Sequence, residues 1–241
     1  MQKFVLTISL IIGLLSCAEE NLETKCEQYF LHKIIQGGHT TLLYYNSDNL
    51  LSTINTSWNG LTDEFIYDET NRLKEVIWGN GRTEFRYNEE DKLIATLRIK
   101  EGDYIDSLAI FYDDFGRIVK REIYSVLSYS SYFKSYVSIS YPSNDTVIAD
   151  FYNRDGAEFT YGGTFTYVLD DKPKPVPEEY NLYHLSLNNI ILDSNPTSLT
   201  ITGSGPSSVI NYEYEYNSAG YPTKESFHGY QYQYLCEPPQ E

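Results

Sequence analysis

Apolar and polar residues alternate with a period of two through most of this chain. Thr83, Phe85 and Tyr87 fall on one side, and Arg82, Glu84 and Arg86 on the other. Val137, Ile139 and Tyr141 oppose Tyr136, Ser138 and Ser140; Tyr212, Tyr214 and Tyr216 oppose Asn211, Glu213 and Glu215. Tyr230, Tyr232 and Tyr234 oppose Gln231 and Gln233. Side chains of a strand point alternately to its two faces, so the pattern predicts antiparallel strands with one dry and one wet face. A slip of one residue would expose a whole aromatic stripe, which pins the register. Residues 29–35 read as a first strand turning at Gly37-Gly38, with a helix as the alternative, and 40–45 and 50–54 as the first hairpin.

The strands recur as one kind of hairpin, clearest from Ile110 to Tyr124, IFYDDFGRIVKREIY. Aligned on its tyrosine, the unit begins at Tyr45 (YNSDNLL), Tyr67 (YDETNRL), Tyr87 (YNEEDKL), Tyr112 (YDDFGRI), Tyr141 (YPSNDTV), Tyr167 (YVLDDKP) and Tyr216 (YNSAGYP). Four residues after each tyrosine stands Asn49, Asn71, Asp91, Gly116, Asp145, Asp171 or Gly220. Two further on comes Leu51, Leu73, Leu93, Ile118 or Val147, then Pro173 and Pro222 in the last two copies. An Asp or Asn just after a strand folds its side chain onto the backbone two residues on and opens a turn. A hairpin loop of three to five residues then needs one residue at positive φ, which Gly, Asn and Asp tolerate best. Asn59-Gly60 and Asn80-Gly81 are the expected tight turns at the opposite end. The tyrosines lie 22, 20, 25, 29, 26 and 49 residues apart, a spacing that suits a meander better than the strict period of a propeller.

At these residues the chain resembles the YD repeats of the RHS type, whose core reads Tyr-Asp-x-x-Gly-Arg-Leu; Tyr112 to Ile118 matches most closely. The arrangement also resembles a family of short envelope lipoproteins of unknown function with a porin-like fold, over about residues 40–234 with one interruption. The resemblance implies an all-β antiparallel meander, rolled into a water-soluble barrel or a strongly curved open sheet. It implies no catalytic residues, since that family has none to transfer.

Composition narrows the setting. There are 24 Tyr and 11 Phe among 241 residues, and a net charge of −16, which argues against a nucleic-acid partner. Lys3 followed by the apolar run Phe4 to Leu15 reads as an export signal, too short to span a bilayer as a mature helix. Leu14-Leu15-Ser16-Cys17 resembles a bacterial lipobox, which would make Cys17 the lipidated residue and the N-terminal lipid the link to the membrane. The expected organisation is a signal peptide at 1–16, a lipidated tether at 17–26, one β domain at 27–236 and a tail at 237–241. Ala18-Glu19-Glu20 carries no retention aspartate, which points to the outer membrane, periplasmic or surface-facing. Cys26 and Cys236 remain, either as a disulfide joining the ends of the domain or as two free thiols.

The meander is interrupted over 170–208, where five prolines cluster and Pro177-Glu178-Glu179 can start a short helix with Leu182 and Leu185 inward. This insertion is expected to plug an open end or build a pocket. His32, His39, His184 and His228 form no metal-binding spacing, and no nucleophile elbow, phosphate loop or dinucleotide fingerprint occurs, so no cofactor and no enzymatic activity are expected. The acidic pairs Asp113-Asp114, Asp170-Asp171 and Glu89-Glu90 sit where turn chemistry accounts for them. Aromatic rings offer the other chemistry: Trp58, Tyr129, Tyr132 and Tyr136 are the candidate ligand contacts, whereas Trp78 shares a face with Val76 and reads as core. Three functions follow. They are a non-catalytic envelope lipoprotein binding a glycan or protein, a structural component of the envelope without a small ligand, and a secreted hydrolase using a carboxylate pair.

Overall fold

The computed structural model describes residue 26 and residues 28–240, apart from 102, 128, 129, 156 and 187–191. Cys17, the expected signal and Tyr129 lie outside the described residues. Seventeen strands form one sheet. In chain order they are Phe30–Gln36 (β1), His39–Tyr45 (β2), Leu51–Thr56 (β3), Thr62–Tyr67 (β4), Leu73–Trp78 (β5) and Gly81–Tyr87 (β6). Then come Leu93–Lys100 (β7), Asp103–Tyr112 (β8), Ile118–Leu127 (β9), Ser130–Ser143 (β10), Thr146–Asp155 (β11) and Glu158–Leu169 (β12). After the helix Glu178–Ser186 (α1) follow Pro196–Thr202 (β13), Ser208–Asn211 (β14), Tyr214–Tyr216 (β15), Pro222–Glu225 (β16) and Gln231–Leu235 (β17).

Each strand from β1 to β14 pairs antiparallel with the next, and β15, β16 and β17 continue round to β1. No ladder joins β14 to β15 among the described residues. They are two parts of one run that changes neighbours: the Tyr212 N–H donates to the Thr197 carbonyl on the β13 side, while the Ser226 N–H donates to the Glu213 carbonyl on the β16 side. The sheet is thus strongly curved and its hydrogen bonding is interrupted at this one place. Its concave face is dry. Leu43, Leu51, Phe65, Leu73, Val76, Phe85, Leu93 and Leu108 form one buried cluster, and Val137, Ile139, Val147, Ala149 and Leu169 a second. Trp78 packs against the first, as its shared face with Val76 predicts.

The bends behave as their chemistry requires in five of the seven repeats. Oδ1 of Asn46, Asp68, Asn88, Asp113 and Asn217 accepts the backbone N–H groups two and four residues on, at 2.9–3.1 Å. The residue four after the tyrosine takes the left-handed conformation: Asn49, Asn71, Asp91, Gly116 and Gly220 have φ of 63°, 62°, 60°, 81° and 85°. Gly116→Ala forces a side chain into that region and should cost about 1 kcal/mol in a urea melt, whereas Asp91→Gly should cost nothing. The repeats at Tyr141 and Tyr167 depart from the pattern. Ser143 pairs directly with Thr146 across a two-residue turn and Asp171 leads out of the sheet; neither Asp145 nor Asp171 takes positive φ. At the other end, Trp78 pairs with Gly81, so the tight turn is Gly79-Asn80 and not the expected Asn80-Gly81; Gly79 carries the positive φ of 51°.

The repeat tyrosines do more than fill the core. The hydroxyls of Tyr67, Tyr87, Tyr112 and Tyr141 donate to the backbone carbonyls of Leu51, Leu73, Leu93 and Ile118 at 2.6, 2.8, 2.8 and 3.0 Å. Each acceptor lies six residues after the preceding repeat tyrosine, so each of these four units is clasped to the one before it. Tyr45 reaches the Leu31 carbonyl at 2.8 Å and Tyr234 the Pro222 carbonyl at 2.9 Å, which carries the clasp across both ends of the chain. The residue before the acceptor supplies a cation over the same ring: Arg72 over Tyr87 at 5.0 Å, Lys92 over Tyr112 at 5.8 Å and Arg117 over Tyr141 at 4.5 Å. Tyr216 breaks the rule and is 36% exposed. The repeat before it has no return strand, because Pro173 enters the insertion, so its hydroxyl bonds the Asp170 carboxylate instead.

Candidate binding site inside the curved sheet

The excursion from the sheet is shorter than the expected 170–208. It runs from Asp170 to Asn195, because Pro196–Thr202 already pairs with β12 and buries Leu199. Its two ends are latched. The Asp170 N–H donates to the Asn195 carbonyl at 2.9 Å, and the Asn195 N–H and side-chain amide donate to the Asp170 carboxylate. Between them, α1 starts after Pro177 with Glu178 and Glu179 in its first turn, as helix N-termini favour.

This segment lies against the concave face as a plug. Tyr183 is buried in the first cluster, and Val176, Tyr180 and Leu182 pack beside it. The Tyr183 ring meets Phe65 edge-on at 5.7 Å, and its hydroxyl bonds Asp63 on β4. Burial raises the Asp63 carboxyl, and that bond pulls it back down. The side chain of Leu185 lies outside the described residues.

A cavity opens on each side of the plug, and Pro175 and Val176 line both. One, of about 820 Å³, lies at the end of the Asx bends, next to Tyr45, Asp48 and Asn49. It is charged: Glu178, Glu179, Asp193 and Lys174 line it. Burial raises the Glu179 carboxyl and lowers the Lys174 ammonium, the latter opposed by Asp193 and Glu178. The other cavity, of about 580 Å³, opens at the opposite end, between the β1–β2 and β3–β4 turns. Among the described residues no Asp, Glu, Lys or Arg lines it, in a chain carrying 34 acidic and 18 basic residues. Its walls are Trp58, Tyr180, Tyr230 and Tyr232, with His39, His184, Gln36, Thr40, Thr41 and Thr56 as hydrogen-bonding groups. Burial pushes the His184 imidazole down to about 4, so that ring is uncharged at neutral pH.

Trp58 is held at the mouth by its loop. The Ser57 N–H donates to the Thr40 carbonyl, the Thr40 N–H to the Ser57 hydroxyl and the Gly60 N–H to the Thr56 carbonyl, at 2.8, 2.8 and 3.0 Å. Asn59 Oδ1 accepts from the Thr56 hydroxyl and the Leu61 N–H. The indole is left 72% exposed, edge-on to His39 at 6.5 Å. Tyr136 is not brought to it. Tyr136 stacks on Tyr152 at 4.5 Å, with Lys120 over its ring at 5.0 Å, so its face is already occupied. Tyr132 lies opposite Ser125 in the β9–β10 ladder, and its side chain lies outside the described residues. Sequence reasoning missed the plug's share of the pocket. Tyr180 and His184, four apart on one helix face with rings 4.3 Å apart, were the available signal. Cys26 and Cys236 are joined by a disulfide. Among the described residues, no group of three or more His, Cys, Asp or Glu side chains could hold a metal ion.

No protein-family profile matches this chain, and no curated protein is similar to it. Solved structures resemble it distantly, two of them as follows. A porin-like protein from Bacteroides uniformis is 13% identical, with a TM-score of 0.48, the match covering 86% of this chain and 95% of that one. A TcdB2-TccC3 chain is 10% identical, with a TM-score of 0.32, the match covering 78% of this chain and 12% of that one.

Proposed function

We propose that this protein is a non-catalytic lipoprotein of the outer membrane, a member of the YD-repeat lipoproteins, that binds a glycan in the pocket beside Trp58. The observation that carries the reading is the lining of that pocket: aromatic rings and hydrogen-bonding groups, with no Asp, Glu, Lys or Arg among the described residues. Sugars offer C–H faces to rings and hydroxyls to such groups, and a cavity of this size lies within the usual range of small-molecule sites, about 300–1,000 Å³. The lipobox at Cys17 would anchor the domain to the membrane through the 17–26 tether.

A structural role in the envelope is the second reading, favoured by the pinned plug that occupies much of the concave face. A glycan array and a pull-down with the soluble domain lacking residues 1–20 separate the two. Binding to neutral glycans supports the first reading. Capture of a single envelope protein with no glycan signal rejects it.

A further inference from the structure

The walls of the Trp58 pocket set what part of a ligand can enter it. Its inner end is the plug, whose Pro175 and Val176 also line the cavity on the far side. The plug is fixed by the Tyr183–Asp63 bond, by the Phe65 contact and by the Asp170–Asn195 latch. A polymer therefore has no way through. A chain lying across the mouth meets the exposed Trp58 first, whereas Tyr180 and His184 stand on the plug that forms the inner end. Among the described residues the lining also holds no Lys or Arg to answer an anion, and moving an ion into such a site without a partner is costly. The net charge of −16 repels anionic ends further.

We propose that the pocket takes the uncharged terminal residue of a glycan end-on, and rejects both internal chain segments and acidic ends. This rests on the glycan reading above and deepens it. Trp58 is the platform at the mouth for the penultimate ring, and Tyr180 and His184 on the plug meet the terminal one.

The test uses neutral oligosaccharides anchored through their reducing ends, each printed with a free end and with that end sulfated. The soluble domain is probed directly and in competition with a cyclic oligosaccharide of the same linkage as the best hit. The expected result is binding to free ends, at least a tenfold loss on sulfated ends, and no competition from the cyclic probe. Trp58→Ala should weaken binding about tenfold, the stacking worth of one exposed ring, with an unchanged melting curve. Equal competition by the cyclic probe overturns end-on recognition while leaving the glycan reading intact. Undiminished binding by Trp58→Ala overturns the assignment to this pocket. Silence on every neutral glycan overturns the reading on which the proposal rests.

Discussion

Tyr67→Ala should lower the stability of this protein by about 3–5 kcal/mol, the usual cost of removing a buried ring. The ring packs against the main core, and the hydroxyl closes the clasp to Leu51 at 2.6 Å. Tyr67→Phe separates the two contributions. It keeps the ring, deletes the donor and leaves the Leu51 carbonyl without it, so about 1–3 kcal/mol should be lost. Tyr161→Phe serves as control, because that ring is 52% exposed and should change stability by less than about 0.5 kcal/mol. Urea denaturation of the three variants gives the comparison. A Tyr67→Phe variant as stable as the parent would reduce the clasp to a geometric coincidence.

Removing the disulfide ranks next. Cys26 and Cys236 are separated by 210 residues, and the bond sits beside the pairing of Phe30 with Leu235 that joins the first strand to the last. Chain entropy alone predicts a gain of about 5 kcal/mol for so long a loop, and measured values run about 2–5 kcal/mol. The Cys26→Ser/Cys236→Ser double variant should therefore melt roughly 10 °C lower than the oxidised parent, and reductant should bring the parent down to it. Equal melting of oxidised and reduced parent would show that the β1–β17 ladder and the Tyr234 clasp hold the ends unaided.

Much of the fold was legible in the sequence because the determinants are local. An Asx bend is decided within five residues, and period-two alternation within one strand, so the hairpins at Tyr45, Tyr67, Tyr87, Tyr112 and Tyr216 could be read directly. The clasp could not, since its acceptor is a backbone carbonyl some twenty residues back, and a carbonyl leaves no mark on the residue type. The arginine of the repeat was legible only as a residue that follows the turn; its place over the next tyrosine is a contact between units. Tyr216 is more exposed than the other repeat tyrosines because its surroundings depend on a return strand that the insertion removes. The end of the insertion was misplaced because proline and serine at 196–198 outweighed the alternation that makes β13. For the site, Trp58 was visible as a loop tryptophan, and Tyr230 and Tyr232 as inward rings. Their convergence with Tyr180 and His184 depends on where the plug docks, and its weakly amphipathic helix gives little sign of that.

Everything proposed for the pocket depends on the tyrosine stripe facing a dry interior. Ultraviolet titration of the phenols tests this most directly. Burial raises Tyr87 and Tyr141 to about 12 and pushes Tyr45, Tyr67 and Tyr234 higher still. A phenol raised in the folded state stabilises it fully below the unfolded value near 10, and that contribution is lost as pH climbs toward the folded value. The account predicts that exposed tyrosines ionise near pH 10 while the clasped ones stay protonated until the protein unfolds in alkali, in a step coincident with loss of its strand signal. A single wave near pH 10 covering all 24 tyrosines, with the sheet intact, would contradict it.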